Sequence, residues 1–252
     1  MNRITGGFSG EKVIVAGAAA GIGRAAAKLI HERGGTVIAM DISGTGLSTL
    51  QAELGLSDNQ IQILDVSIEE GVRSAVAKAE AAHGQIHGLI NSVGVTGPTN
   101  IMAENIPWTE IEKTLRINLY GAIWMTQAVL PLMKTHRYGR IVHMASIAGK
   151  EGNPGMTAYN VSKAGMIGFV KGVGKEVASL GITVNAVAPA VINTEINANT
   201  NPETLKYMIS RIPMGRLGEV DEIAQLLAFI ASRECSFTTG FTFDASGGRA
   251  TY

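Results

Sequence analysis

The sequence of 252 residues has no excess of charge and almost no cysteine. Lysine and arginine together number 21, as do aspartate and glutamate, so the chain carries no electrostatic signal for nucleic acid or an anionic membrane surface. The single cysteine, Cys235, excludes an intramolecular disulfide. With only five histidines beside it, we expect no structural zinc site and no other bound metal.

Long apolar runs are also missing. No run approaches the roughly 20 residues that a membrane-spanning helix needs, and the opening stretch MNRITGGFSGEK lacks the apolar core of a signal peptide. We therefore expect a cytoplasmic protein that binds neither membrane nor nucleic acid.

Seven short apolar runs alternate with stretches of helical periodicity. The runs are rich in β-branched residues and almost continuously apolar, which is typical of strands buried on both faces of a parallel sheet. They lie at 12–17, 36–41, 61–66, 86–91, 139–146, 181–189 and 240–246. The alternation predicts an α/β fold with a doubly wound, Rossmann-like, mostly parallel seven-stranded sheet and helices on both faces.

The stretches between the strands carry helix start and stop signals. Gly34 is expected to end the first helix, and Ser67 followed by Glu70 predicts a capping box at the start of another. No linker or repeat divides the chain, so we expect residues 1–252 to form one domain. The segment 190–215 has no clear element and is the expected substrate loop, because long irregular segments in compact domains are usually functional.

A glycine-rich stretch, GAAAGIG at 17–23, follows the first strand and leads into the first helix. Glycines there let the backbone approach a pyrophosphate, while the helix N-terminus presents unpaired N–H groups. The spacing differs from the usual G-x-G-x-x-G, and alone it would also suit a tight turn packed with alanines. Its position predicts a cofactor phosphate site formed by Gly17, Ala20, Gly21, Ile22 and Gly23.

Acidic residues end the second and third strands. Asp41 lies about 20 residues beyond the glycines, where a carboxylate accepts the hydroxyls of an adenosine ribose and repels a 2′-phosphate. No lysine or arginine lies within 17–23 to favour that phosphate, so NAD is expected rather than NADP. Ile42 is expected beside the same ribose. Asp65 is interpreted either as a partner of the adenine amino group or as a turn residue.

Several further motifs follow in order along the chain: DV at 65–66, NSVG at 91–94, Asn118, Ser146, Tyr159-x-x-x-Lys163 and NAVAPAVINT at 185–194. With the glycine stretch, they resemble the short, single-domain branch of the short-chain dehydrogenase/reductase family over nearly the whole chain. The resemblance implies an NAD(H)-dependent oxidoreductase that interconverts a secondary alcohol and a ketone.

The resemblance also implies a catalytic tetrad of Asn118, Ser146, Tyr159 and Lys163. A free tyrosine has a pKa of about 10, and an ammonium one helical turn away is expected to lower it. Tyr159 is then the general acid/base and Lys163 also holds the nicotinamide ribose. Ser146 would hydrogen-bond the substrate oxygen, and Asn118 would anchor a water that links Lys163 to solvent. A Tyr-x-x-x-Lys pair alone would more often be a surface pair.

The same resemblance implies further cofactor contacts from Asp65, Val66, Asn91, Gly94, Pro189, Ile192 and Thr194. His143, close to Ser146, is interpreted as a structural residue because strand alternation turns it away from the site.

The substrate walls are expected from Ser146, Ile147, Glu151, Asn153, Met156, Tyr159, Ala190 and Val191. Ala190 stands where the family commonly has glycine. The loop is rich in asparagine and threonine and poor in aromatics, which favours a small polyol, sugar or sugar acid over a steroid or long acyl chain. The alternatives are a reductase of 3-oxoacyl thioesters carried by acyl carrier protein or CoA, and a non-catalytic dinucleotide-sensing protein.

The C-terminal stretch FDASGGRATY, residues 243–252, resembles the last strand and tail of tetrameric members of the family. We therefore expect a homotetramer.

Overall fold

Parallel strands form the central sheet of the computed structural model, which describes residues 7–194 and 202–252. The strands along the chain are β1 (Lys12–Ala16), β2 (Thr36–Asp41), β3 (Ile61–Ile63), β4 (Gly88–Asn91), β5 (Gly139–Met144), β6 (Ile182–Pro189), β7 (Ile192–Asn193), β8 (Gly218–Glu219) and β9 (Thr242–Ala245). Seven of them pair in the order β3–β2–β1–β4–β5–β6–β9, and every pairing is parallel. The short strands β7 and β8 pair separately.

Helices connect these strands and cover both faces of the sheet. They are α1 (Gly21–Glu32), α2 (Gly44–Leu54), α3 (Glu69–His83), α4 (Trp108–Leu115), α5 (Gly121–His136), α6 (Ala148–Glu151), α7 (Thr157–Val177), α8 (Pro202–Ser210) and α9 (Val220–Ala231). A π-helical turn, Arg116–Tyr120, joins α4 to α5. No helix among the described residues is long and apolar enough to cross a membrane.

Strand alternation explains why both faces are apolar. In β1, Val13 and Val15 pack into the core beneath α1, α2 and α9, whereas Ile14 and Ala16 pack into the core beneath α3, α5 and α7. Because successive side chains point to opposite faces, a strand covered on both sides must be apolar throughout. The predicted doubly wound sheet is therefore confirmed.

Several local predictions differ from the structure. The third strand ends at Ile63 rather than at residue 66, because Asp65 forms a turn in which its carboxylate accepts the Ser67 amide at 2.9 Å. The capping box predicted at Ser67 and Glu70 is wrong, since α3 begins at Glu69 and has no side-chain cap. Gly34 follows α1 with φ of +84°, as a C-terminal glycine should.

Two helical features were not predicted. Helix α2 begins with Gly44 and Gly46, which are poor helix formers, and Ser43 caps it by accepting the Gly46 amide at 3.2 Å. The apolar stretch 108–134 forms two helices rather than one, because the π-helical turn interrupts it.

The strand order reverses between the neighbouring strands β1 and β4. The connection after β1 leads toward β2 on one side, and the connection after β4 leads toward β5 on the other. In open α/β sheets, ligands bind in the crevice that this reversal creates at the carboxyl ends of the strands. The fold therefore places the ends of β1, β2, β4 and β5 around one candidate site.

Close packing of α7 against the turn before β9 gives a stability prediction. A Cβ atom added at Gly174 would lie 2.5 Å from the Gly240 backbone nitrogen, and such overpacking typically costs about 1–3 kcal/mol. We expect Gly174→Ala to lower the free energy of unfolding by about that amount, measured by urea denaturation.

Gly71→Ala in α3 is the matched control, because the nearest atom to its added Cβ is at 3.6 Å. It should leave the free energy of unfolding unchanged or raise it by up to about 1 kcal/mol through better helix propensity. Equal effects of the two variants would contradict the packing argument.

Candidate active site

The turn between β1 and α1 requires glycine at three of the predicted positions, of which Gly21 has φ of +52°. Gly17 has φ of +84°, and a Cβ there would lie 3.1 Å from the Ser92 backbone. A Cβ at Gly23 would overlap the Gly17 carbonyl oxygen, so the first turn of α1 lies directly on the end of β1. Helix α1 has no side-chain cap at its N-terminus. Its first N–H groups remain available for an anion such as a pyrophosphate.

A cavity of about 420 Å³ opens over this turn at the carboxyl ends of the strands. Ten predicted cofactor residues line it: Gly17, Ala20, Gly21, Ile22, Asp41, Ile42, Asp65, Val66, Gly94 and Thr194. The sequence interpretation missed six others, which are Leu64, Ser92, Val93, Val95, Ile117 and Met144. Six predicted cofactor residues do not line it, namely Gly23, Asn91, Tyr159, Lys163, Pro189 and Ile192.

Asp41 is fixed at the rim of this cavity by two backbone amides. Its Oδ2 accepts the Ala19 N–H at 3.0 Å, and its Oδ1 accepts the Ser43 N–H at 2.9 Å. A carboxylate has about four acceptor positions, so each oxygen keeps capacity for a ribose hydroxyl. The glycine turn and this carboxylate together fit an NAD-type dinucleotide.

A cation near the start of α1, Arg24, is already engaged. Arg24 donates to the carbonyl oxygens of Ala19 and Gly46, both at 3.2 Å, and to Glu53 at 2.6 Å. Neither lysine nor arginine is among the cavity-lining residues of the part of the chain that the structure describes. This charge pattern is the one expected for NAD, and the preference over a 2′-phosphorylated cofactor stays a prediction.

Asn91 lies in the interior rather than on the cavity wall. It is 3% exposed, its Oδ1 accepts the Val93 N–H at 3.3 Å, and its amide nitrogen lies 3.4 Å from Nδ1 of His143. His143 is fully buried and its Nε2 lies 2.9 Å from Thr126 Oγ1. Burial, with a smaller contribution from the nearby Lys163 charge, lowers the pKa of His143 to about 3. The imidazole is therefore neutral at physiological pH and structural.

Lys163 lies almost wholly inside the protein, on the inner face of α7. Its Nζ donates to the Met144 carbonyl oxygen at 2.7 Å and lies 5.6 Å from the centre of the Tyr159 ring. A Cβ at Gly94 would lie 3.2 Å from the same Nζ, so glycine leaves room for the ammonium. Burial lowers the pKa of Lys163 to about 8.

Tyr159 lies at the start of α7, where its phenol is near the side chain of Ser146. Ser146 is 8% exposed, and its Oγ also accepts the Ala148 N–H at 3.1 Å. Burial raises the pKa of Tyr159, and its interaction with Ser146 opposes that rise only partly. This direction is opposite to the expected lowering by Lys163, because burial dominates and the ammonium donates to the Met144 carbonyl.

Asn118 occupies the π-helical turn between α4 and α5, a feature often found at functional sites. Its side chain bonds both the N–H and the carbonyl of Val95 at 2.8 Å, and its amide donates to Ser162 Oγ at 3.0 Å. Ser162 Oγ in turn donates to the Tyr159 carbonyl at 2.8 Å. Asn118 thus joins the loop after β4 to the first turn of α7.

The predicted substrate residues fall into two groups. Ile147 is 3% exposed, and its N–H donates to the Pro189 carbonyl, so it supports the end of β6. Ala190 and Val191 follow β6 and bond through their backbones to Ala245 and Gly218. The part of the expected substrate loop at 195–201 lies outside the described residues.

The second group lies between Ser146 and Tyr159 along the chain, at the end of α6 and in the turn that links α6 to α7. Asn153 and Asn160 bond each other through side chain and backbone at 3.0 and 2.8 Å, and Met156 accepts from Asn153 at 3.9 Å. Glu151 and Asn153 both bond Arg249 near the C-terminus, at 2.9 and 3.0 Å. Arg249 was not predicted, because 98 residues separate it from Glu151 along the chain.

The chain is similar to proteins of one family over nearly all its length. A family model described as enoyl-(acyl carrier protein) reductase matches residues 17–250. The chain is 43% identical over 252 residues, the whole of both chains, to a 2-dehydro-3-deoxy-L-rhamnonate dehydrogenase (NAD(+)) of Sphingomonas sp.. It is 36% identical to 3-oxoacyl-(acyl-carrier-protein) reductase FabG of Thermotoga maritima over 243 residues, 96% of this chain and 98% of that protein.

A solved structure is also similar to the chain over nearly its whole length. The crystal structure of gox2181 superposes with a TM-score of 0.93 at 30% sequence identity, and the match covers 99% of each chain. With the parallel sheet, the glycine turn and the family-model match, these similarities establish that the chain belongs to the short-chain dehydrogenase/reductase family.

Proposed function

We propose that the protein is an NAD(H)-dependent oxidoreductase that interconverts a secondary alcohol and a ketone on a small polyol, sugar or sugar acid. The observation that carries this proposal is the grouping of Ser146, Tyr159 and Lys163 at the end of β5. The glycine turn and Asp41 border the adjacent cavity. The relative at 43% identity, whose name gives NAD(+) and a sugar acid, supports both the cofactor and the substrate class.

The residues divide the work of the reaction. Bound NAD supplies the nicotinamide ring that accepts or returns the hydride. Tyr159 takes the hydroxyl proton during oxidation and returns it to the carbonyl oxygen during reduction. Ser146 donates a hydrogen bond to that oxygen as negative charge develops on it. Lys163 keeps a positive charge beneath the phenol and holds the nicotinamide ribose with its remaining donors.

The pKa of Tyr159 favours the protonated phenol. Burial raises this pKa, so the phenol is protonated at neutral pH, which is the form that carbonyl reduction uses. Oxidation needs the phenolate, which the positive charge of a bound oxidised nicotinamide would favour. We therefore propose that cofactor binding prepares Tyr159 for the oxidative direction.

A second candidate is a reductase of 3-oxoacyl thioesters. The 36% identity to FabG of Thermotoga maritima favours it. An acidic carrier protein would require exposed cations around the site mouth. The described cations beside α6, Lys150 and Arg249, are instead buried in ion pairs with side-chain exposures of 6% and 10%. The sugar-type substrate is therefore the better interpretation.

We also propose a homotetramer, with β9 at a subunit contact. β9 is the last strand of the sheet, so its outer edge has no partner strand in the described part of the chain. Phe237 is fully exposed beside it and Phe241 is 52% exposed. Unpaired strand edges with exposed aromatic side chains are surfaces that proteins usually cover by association.

The functional proposal predicts turnover of a small hydroxylated substrate with NAD. Polyols, sugar acids, simple secondary alcohols and 3-oxoacyl thioesters should be assayed spectrophotometrically with NAD(H) and with NADP(H). We expect a sugar acid or polyol with NAD to give the highest kcat/KM.

Tyr159→Phe should lose about 10²–10⁴-fold in kcat while NADH binding, measured by fluorescence titration, is retained.

Tyr120→Phe is the matched control, because Tyr120 is a partly exposed tyrosine in the π-helical turn. It should keep full activity. Highest activity on a 3-oxoacyl thioester would favour the second candidate, and NADH binding without turnover of any substrate would favour a sensor.

Burial of Lys163 predicts a specific pH dependence of stability. Its folded pKa of about 8 lies below the ordinary 10.5, so the unfolded chain binds more protons between these values and stability rises with pH across that window. A shift of this size corresponds to about 3 kcal/mol. The free energy of unfolding of wild type should therefore rise, relative to that of Lys163→Met, by up to about 3 kcal/mol between pH 8 and pH 10.5. Urea denaturation at fixed protein concentration measures this difference.

Other titrating groups are shared by both proteins and cancel in this difference. A difference that stays constant with pH would show that Lys163 keeps an ordinary pKa. Lys163→Met should also weaken NADH binding, because the same amine holds the ribose in the proposed function.

The proposed tetramer predicts the mass of the protein in solution. Sedimentation equilibrium at micromolar concentration should give four times the chain mass of 26.4 kDa. Phe241→Asp should shift the protein to smaller species, since a buried unpaired carboxylate at a contact is unfavourable. A wild-type protein that sediments only as a monomer would contradict the proposal.

A further inference from the structure

The C-terminal tail, residues 244–252, lies against α6 and is held there by polar contacts. Asp244 pairs with Lys150 at 2.9 Å. The Tyr252 hydroxyl donates to the Lys150 carbonyl at 2.6 Å, and the Lys150 ammonium lies 5.0 Å from the centre of the Tyr252 ring. Helix α6 is only four residues long. Since so short a helix has little stability of its own, these contacts fix its position.

Arg249 extends the same attachment beyond α6. Its Nε donates to Glu151 Oε2 at 2.9 Å and its Nη2 donates to Asn153 Oδ1 at 3.0 Å. Arg249 therefore bonds both Glu151, the last residue of α6, and Asn153, in the turn that follows α6. One planar guanidinium thus bonds both the Glu151 carboxylate and the Asn153 side chain. A shorter side chain, or one with a single donor atom such as lysine, does not reproduce this geometry.

Burial distinguishes this ion pair from the ordinary surface pairs of the chain. The side chains of Arg249 and Glu151 are 10% and 22% exposed, whereas those of Arg73 and Glu69 in α3 are 52% and 43% exposed. Exposed pairs contribute little to stability. Loss of the more enclosed partner, Arg249, would leave Glu151 without this charge partner and Asn153 Oδ1 without this donor. The Arg249 contacts therefore restrain the geometry of the turn.

The restrained turn ends at the residue next to Tyr159. Asn153 receives a hydrogen bond from the Asn160 amide at 2.8 Å and returns one to Asn160 Oδ1 at 3.0 Å. At the other end, Ser146 Oγ accepts the N–H of Ala148, the first residue of α6. The segment that Arg249 holds thus begins at one proposed reacting residue and ends at the other.

We propose that Arg249 is a positioning residue for the substrate side of the active site. It holds the α6–α7 turn so that the substrate lies against Ser146 and Tyr159, without contacting the reacting atoms. Arg249 does not line the cofactor cavity, so cofactor binding does not depend on it. The kinetic part of this inference rests on the proposed function, whereas the restraint of the turn does not.

The test uses the full chain with Arg249→Gln, Arg249→Lys and Glu151→Gln. Tyr252→Phe is the control from the same tail, because it removes a bond to α6 but none to Asn153. Arg73→Gln is the control for loss of an ion-paired arginine on the surface. For each variant, KM, kcat, the Kd for NADH, the unfolding midpoint and hydrogen exchange of peptides within 147–160 are measured.

We expect Arg249→Gln to raise KM by about tenfold or more, because charge-assisted hydrogen bonds are lost, and to leave the Kd for NADH within about twofold. Exchange of peptides spanning 149–156 should become faster. Arg249→Lys should recover part of the KM, and Glu151→Gln should show a smaller rise because its amide oxygen still accepts a hydrogen bond.

Three results would overturn the proposal. One is a KM and an exchange rate for Arg249→Gln equal to those of Arg73→Gln. Another is a lower unfolding midpoint with KM unchanged, which would make Arg249 a structural staple only. The third is a rise in KM for carboxylate substrates but not for polyols, which would make Arg249 a direct carboxylate ligand. If the wild type turns over none of the substrates, the proposed function fails, and hydrogen exchange alone decides whether Arg249 restrains the turn.

Discussion

The buried ammonium of Lys163 is the interaction on which the site depends most. A charge inside a protein is costly unless polar groups compensate it. Here the Lys163 ammonium donates a hydrogen bond of 2.7 Å to the Met144 carbonyl oxygen at the end of β5. That bond requires α7 to lie across the end of β5 with its inner face toward Gly94. Tyr159 is one turn earlier on the same helix, so the position of the lysine fixes the position of the phenol.

Two halves of the protein meet at this lysine. The cofactor half consists of the ends of β1, β2 and β4, where close backbone approach at Gly17 and Gly23 shapes the cavity. The substrate half consists of the end of β5, α6 and the first turn of α7. Asn118 joins the halves, because its side chain bonds the loop after β4 and the hydroxyl of Ser162 in α7. The π-helical turn that carries Asn118 is thus part of the site's framework.

Sequence reasoning predicted the sheet because it depends on local patterns, whereas the roles of Ser146, Tyr159 and Lys163 came from the family resemblance and stay a prediction. Continuous apolar runs report burial on two faces, and the Tyr159–Lys163 spacing places two side chains on one face of a helix whatever surrounds them. It did not predict the direction of the Tyr159 pKa, which depends on burial and on where the ammonium points. Helix α2 was missed because it begins with glycines, which have low helix propensity. It is supported instead by close packing against the β1–α1 turn, where a Cβ added at Gly46 would lie 2.6 Å from the Ala19 side chain. Arg249 was missed because the pair it makes joins distant parts of the chain.

The division into halves also explains how one fold can hold a cofactor firmly and still change substrate. Contacts of the cofactor half are mainly backbone contacts, as at Asp41, whose carboxylate is set by the amides of Ala19 and Ser43. Such contacts tolerate little change, because they depend on where the main chain runs. The substrate half is instead held by side chains from the C-terminal tail, which lies outside the cofactor cavity. If Arg249 positions the turn as proposed, changes in the tail would move the α6–α7 turn while the cofactor cavity and Lys163 keep their places.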